Sequence, residues 1–211
     1  MESFSLKDNK KIIICLTLYI TSLFAANTLG MKLMPFIFGT TLSVGIFCFP
    51  IVFIMTDIVG EIYGKKIAKL FVLAGAISII LFLVYSLVSV ITPWADQGLG
   101  LKSAYNQVFG LSARISIASV LAFIIAEYQD VISFFFFRKK TRGKYFWIYS
   151  NISNIWSQLL DTIVFMFVAF LGIYSIHTIL LIIIPWWIFK VLMGFLYTPI
   201  SYLGVYLLKK V

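Results

Sequence analysis

Apolar residues run in six long blocks, at 12–31, 42–62, 67–91, 112–137, 147–171 and 179–208, separated by polar or turn-forming stretches. Each block meets the roughly 20 residues that an α-helix needs to cross ~30 Å of hydrocarbon at ~1.5 Å per residue. The separators carry turn chemistry or charge: Pro35 and Gly39, the run Tyr63, Gly64, Lys65, Lys66, the stretch 93–110, the run RKKTRGK at 138–144, and the stretch 172–177. This pattern predicts an all-α integral membrane protein of six transmembrane helices in a single polytopic domain over residues 1–211. The start, MESFSLKDNKK, is polar and lacks a small-residue cleavage site after a short apolar core. It predicts a retained first helix and no cleaved signal peptide.

Charge placement orients the bundle. Thirteen of the 17 basic residues fall in four clusters, at Lys7/Lys10/Lys11, Lys65/Lys66/Lys69, 138–144 and Lys209/Lys210. The alternate connections hold only Lys32 and Lys102. That asymmetry is the positive-inside pattern, which places both termini in the cytoplasm. The formal charge of +9 is therefore assigned to membrane orientation, and no nucleic acid is expected to bind directly. The expected location is a bacterial inner membrane, crossed several times. The 93–111 connection is expected to pack over the outer mouth through Trp94 and Tyr105. Trp147, Trp186 and Trp187 are read as interfacial aromatic belt residues.

Seven ionisable residues interrupt the apolar blocks: Asp57, Glu61, Arg114, Glu127, Asp130, Asp161 and Lys190. A charge facing lipid at a helix centre costs about 2.5–3.5 kcal/mol on insertion scales, so these should face inward and pair. In the fifth block Asn151, Asn154, Gln158 and Asp161 recur at spacings of 3, 4 and 3, one stripe of a helix. In the fourth, Ser116, Ser119, Phe123, Glu127 and Asp130 form a matching face, with Arg114 near its outer end. Lys190 is at a depth where it meets Asp161, and such a pair neutralises two charges in a low dielectric. Asp57 lies deep in the second block, Glu61 one turn nearer its inner end, and Asn27 adds a polar group mid-way along the first. Ser22, Ala26 and Gly30, at intervals of four, read as a close helix-packing face.

Composition then narrows the function. The chain is 62% hydrophobic and 18% aromatic, with a mean hydropathy of +1.04, far from a soluble domain. Cys15 and Cys48 lie in separate apolar runs and read as packing residues. No P-loop, HExxH or CxxC motif occurs, and His177 has no nucleophile partner, so neither an enzyme, a metal site nor a cofactor is expected. A polar path handled inside the bilayer points to transport.

Three runs carry a family resemblance: FPIVFIMTDIVGEIYGKK (49–66), ARISIASVLAFIIAEYQD (113–130) and WIYSNISNIWSQLLDTIVF (147–165). They resemble the signatures of the queuosine precursor transporters, a vitamin uptake family of six-helix inner-membrane importers of 7-deazaguanine bases. The resemblance implies a nucleobase-like cargo such as preQ0, preQ1 or queuine. Its pattern is matched at Asn27, Asp57, Glu61, Arg114, Ser119, Asp130, Ser153, Gln158, Asp161 and Lys190. The substrate-binding set is expected to be Asn27, Asp57, Arg114, Ser119, Phe123, Glu127, Asp130, Asn154, Gln158, Asp161 and Lys190, with Asp57, Glu61, Asp161 and Lys190 in gating or coupling. Phe123 or Trp156 is the expected stacking surface. The chain departs from the family at Tyr149 and Asn154, where Arg and Thr are common, and at Glu127, where Gln is commoner. The extra carboxylate at Glu127 is expected to favour a cationic aminomethyl base over a neutral nitrile. An alternative reading is a substrate-capturing subunit of an ATP-driven complex, and a homo-oligomer is compatible with either.

Overall fold

The structure, a computed structural model, describes residues 6–29, 32–35, 41–110 and 113–210. Its elements in order are α1 (Leu6–Leu29), the strands β1 (Leu33–Pro35) and β2 (Thr41–Ser43), then α2 (Phe49–Tyr63) and α3 (Lys65–Ile91). There follow α4 (Lys102–Phe109), α5 (Ala113–Lys140), α6 (Phe146–Phe170) and α7 (Ile176–Lys210). Among the described residues, five helices, α1, α3, α5, α6 and α7, are long and apolar enough to cross a membrane.

The second apolar block does not form the continuous helix expected over 42–62. Residues 41–43 pair antiparallel with 33–35, residues 44–47 make a 3₁₀ turn, and α2 starts at Phe49. Local sequence explains the late start. Thr41, Ser43, Val44 and Gly45 are weak helix formers, whereas Pro50 suits the first turn, where its missing N–H is no loss. Fifteen residues give α2 a length of ~22 Å, short of a full crossing. The non-helical backbone satisfies itself by strand pairing and by Val44 N–H donating to Lys32 O at 2.9 Å. Gly39 and Gly30 lie outside the described residues.

Short as it is, α2 is central: it touches α1, α3, α5 and α7, and Val52–Ile54 and Thr56–Gly60 are buried. Two apolar clusters flank it. One joins Cys15, Tyr19, Val52, Phe71 and Phe123, and the other joins Ile58, Phe134, Phe146, Tyr149 and Val205. Gly64, at φ 85 and ψ 174, makes the reversal into α3, a backbone region that only glycine adopts readily. Lys11 Nζ donates to Leu208 O at 2.7 Å, so the start of α1 and the end of α7 share one end of the bundle. Antiparallel connections put the α2–α3 and α5–α6 turns there too, which gathers the basic clusters at that terminal end. Outward faces are lipid-like, with Leu70, Leu73, Ile77 and Leu81 of α3 exposed. At the opposite end, Trp94 packs edge-on against Tyr105 with centroids 5.3 Å apart, tying the connection to α4.

Candidate functional site

Polar side chains stack in layers along the bundle axis. Nearest the terminal end, Glu61 of α2 accepts from Arg138 Nε of α5 and from Tyr149 Oη of α6, each at 2.8 Å. Glu61 is thus a three-helix clamp. Tyr149 supplies one of its two donors from α6.

About one turn further on, Asp57 accepts from Ser150 Oγ, and Asp130 accepts from Ser157 Oγ at 2.9 Å. Glu127 lies above them, with Tyr19 Oη 3.5 Å from its Oε2. Asp57, Glu127 and Asp130 are all buried, at 4%, 0% and 1% exposure, inverting the usual surface position of carboxylates.

The third layer borders a cavity of about 920 Å³. Asn27 of α1, Ser119 and Phe123 of α5, Asn154, Gln158 and Asp161 of α6, and Lys190 of α7 all line it. Lys190 Nζ lies 2.6 Å from Asp161 Oδ2, is 3.3 Å from Thr162 Oγ1, and sits 5.9 Å over the Phe49 ring. Ser119 Oγ reaches Asn27 Oδ1 at 3.4 Å. Asn154 Oδ1 and Gln158 Oε1 are buried with no hydrogen-bond partner. A buried acceptor left open costs about 1–3 kcal/mol, so these oxygens are positioned for a donor that arrives with a ligand.

The geometry divides the expected site. Asp57, Glu127 and Asp130 do not line the cavity; on α5 its wall is Ser119, Ala122 and Phe123, and Glu127 is one turn beyond. Asn151 is spent on helix packing, its Nδ2 donating to Thr198 Oγ1 at 2.9 Å. The Arg114 side chain lies outside the described residues. Trp156, half exposed on the bundle's outer face, cannot stack over the cavity, whereas Phe123 can. Trp187 is anchored through Nε1 to Ile155 O at 2.9 Å.

Several lining residues escaped the sequence reading. Gly45, Phe49 and Pro50 border the cavity because α2 begins there, at its N-terminal end. On α7, Ile182, Trp186, Lys190 and Gly194 all line the cavity at intervals of four. Extending the helical period in both directions from Lys190 would have found them. Trp186 therefore belongs to the cavity wall as well as to an interfacial position. Asn154 packs closely on Gly194, and a side chain there would displace its Nδ2. The result is an apolar pocket with a few placed polar groups, the usual form of a small-molecule site.

A family model described as "Putative vitamin uptake transporter" matches residues 43–204. The chain is 30% identical over 167 residues to the "Probable queuosine precursor transporter" of Bacillus subtilis (strain 168), covering 79% of this chain and 72% of that protein. It is 28% identical over 170 residues to the "Queuosine precursor transporter" of Escherichia coli (strain K12), covering 81% and 74% respectively. No solved structure matches the chain.

Proposed function

Given that the chain belongs to the vitamin uptake transporter family, a family of transporters and not of enzymes, we propose that its cargo is a 7-deazaguanine base used as a queuosine precursor. The observation that carries this reading is the cavity wall itself. Such a base presents N1–H beside an exocyclic amine, a two-donor edge, with a carbonyl next to it. The open acceptors Gln158 Oε1 and Asn154 Oδ1 suit the donor edge, Asp161 can accept in bidentate fashion once Lys190 moves aside, and Phe123 offers a stacking face. Asn27, Ser119 and Arg114 complete the contacts proposed for the outer half. The curated relatives, named as queuosine precursor transporters, support the cargo class.

In this reading the chain crosses the membrane six times, with α2 and its hairpin together making one crossing. The basic end, which carries both termini, faces the cytoplasm of a bacterium, and the membrane is its inner one. The Glu61–Arg138–Tyr149 clamp closes the cytoplasmic exit, and the Asp161–Lys190 pair exchanges its partner for cargo during the cycle. The test is uptake of labelled preQ0 and preQ1 into cells that lack queuosine synthesis and salvage transport, with queuosine in tRNA as the readout. Expression of this chain should restore both. Failure to restore either, with the protein present in the membrane, removes the proposed cargo.

A further inference from the structure

Near the terminal end of the bundle, Lys11 is held by Leu208 O and Arg138 by Glu61. Lys65, Lys66 and Lys69 of α3 form no ion pair among the described residues. Orientation in a membrane asks only for basic residues at or beyond the helix ends. Lys69 lies a full turn inside α3, ~6 Å along the axis from Lys65. There its Nζ donates to Tyr128 Oη of α5 at 3.0 Å and sits 4.6 Å from the centre of the same ring. Tyr128 is 47% exposed, so the pair is on the outer surface of the bundle, where α3 packs on α5.

The hydrogen-bonding capacity of this pair is one-sided. An ammonium has three N–H donors and no acceptor, and Lys69 uses one of them on Tyr128. The Tyr128 oxygen accepts that bond, so its own O–H is left to donate elsewhere. Lys65, exposed and four residues before Lys69, adds a second ammonium on the same face of α3. Donors and positive charge together suit an anion that only accepts, and a phosphodiester is such a group.

Further into the bilayer both stripes turn apolar. On α3 the face of Lys65 and Lys69 continues through Leu73 and Ile77 at intervals of four. On α5 the face of Tyr128 runs back through Ile125 and Leu121. All four apolar side chains are exposed. Lys69 to Ile77 spans ~12 Å, close to the ~15 Å of hydrocarbon in one leaflet.

We propose that this α3–α5 seam binds one anionic phospholipid of the surrounding leaflet. Lys65, Lys69 and Tyr128 hold its phosphodiester, and an acyl chain lies along Leu73, Ile77, Ile125 and Leu121. The inference concerns the membrane and not the cargo, so it stands or falls independently of the transport reading. A zwitterionic headgroup brings its own cation into the lysine cluster and fits less well. The Phe135 ring lies 6.0 Å from Lys65 Nζ and 5.8 Å from the Arg138 guanidinium, so the lipid site adjoins the Glu61–Arg138 clamp. A lipid held there ties α3 to α5 and stabilises the folded bundle by mass action.

The experiment titrates the purified full chain, stripped of lipid in detergent, with phosphatidylglycerol or phosphatidylcholine of matched acyl chains. Native mass spectrometry counts bound lipids, and thermal unfolding reads stability. Phosphatidylglycerol should saturate as a single adduct, bind at least about ten-fold more tightly than phosphatidylcholine, and raise the thermal midpoint. Lys69→Gln and Lys65→Gln should each weaken its binding about five-fold. Tyr128→Phe keeps the ring, loses only the hydroxyl, and should weaken binding about three-fold. Lys144→Gln removes the same charge from the α5–α6 turn and should leave binding unchanged. Equal affinity for the two lipids, or seam variants that bind as wild type, overturns the site. Equal weakening by Lys144→Gln reduces it to diffuse attraction, and displacement of the lipid by soluble glycerol phosphate makes it a site for free phosphate; either result overturns the proposal. Lys65→Gln and Tyr128→Phe, both at exposed positions, decide the matter even if Lys69→Gln does not fold.

Discussion

Replacing Asp161 by Asn removes one half of an ion pair whose Nζ–Oδ2 distance is 2.6 Å, with 21% and 10% of the Lys190 and Asp161 side chains exposed. At that separation and an effective dielectric of ~20, the direct attraction is about 6 kcal/mol before desolvation. Removing a single partner of such a buried pair costs about 3–5 kcal/mol, because the remaining charge stays behind without compensation. Thr162 Oγ1, 3.3 Å from Nζ, recovers only a small part. Asp161→Asn should therefore lower the thermal midpoint in detergent and reduce cargo uptake by more than ten-fold. Adding Lys190→Gln to it removes the stranded charge. This double variant should regain most of the lost midpoint without regaining uptake, if Asp161 also meets the cargo. The assay is labelled-base uptake alongside thermal unfolding, with surface expression matched to wild type. Normal accumulation by Asp161→Asn at wild-type levels would refute the reasoning, and recovery of uptake in the double variant would reduce the pair to structural neutralisation.

Three further outcomes follow from the same geometry. Gln158→Leu removes a buried acceptor without a partner, so stability should be unchanged or slightly raised while uptake falls at least ten-fold; a stability loss above ~2 kcal/mol in chemical denaturation contradicts this. Glu127→Gln removes the carboxyl group one turn beyond the cavity wall on α5, and should lower the preference for a cationic aminomethyl base over a neutral nitrile severalfold. Competition uptake reads it, and an unchanged preference rejects Glu127 as a determinant of cargo. Gly75→Ala sets a methyl group 2.7 Å from Tyr19 Oη and 3.0 Å from Phe123 Cζ. Overpacking of this kind costs about 1–3 kcal/mol, measurable as a lower thermal midpoint, and should displace the Tyr19 hydroxyl from Glu127.

What the residues alone could determine follows from a single regularity, the helical period. Lengths of apolar sequence mark the long helices because a membrane leaves a backbone few other options. The spacing of Asn154, Gln158 and Asp161 puts them on one stripe wherever the helix is set, and all three line the cavity. Lys190 and Asp161 meet because two charges at similar depth in adjacent helices have no better partner. The family is legible in three contiguous runs for the same reason, since each is a helix face. Asn151 marks the limit of the method: it shares the stripe but faces Thr198, because α7 crosses α6 at that level.

Only tertiary structure decided the rest. The half-length of α2 depends on strand pairing between 33–35 and 41–43, a non-local contact that leaves no period in the sequence. That pairing opens the cavity to Phe49 and Pro50 and places α2 among four helices. Depth along a helix axis distinguishes Asp161, on the cavity wall, from Glu127 and Asp130 beneath it, and sequence spacing within one helix does not show where a neighbouring helix ends. Which carboxylate receives a cation and which receives a serine hydroxyl is likewise a matter of the rotation and crossing of α2 against α5 and α6. The sequence determined that charges must be hidden from lipid; the packing determined which of them were paired with a cation, which border the cavity, and which were left with hydroxyl partners.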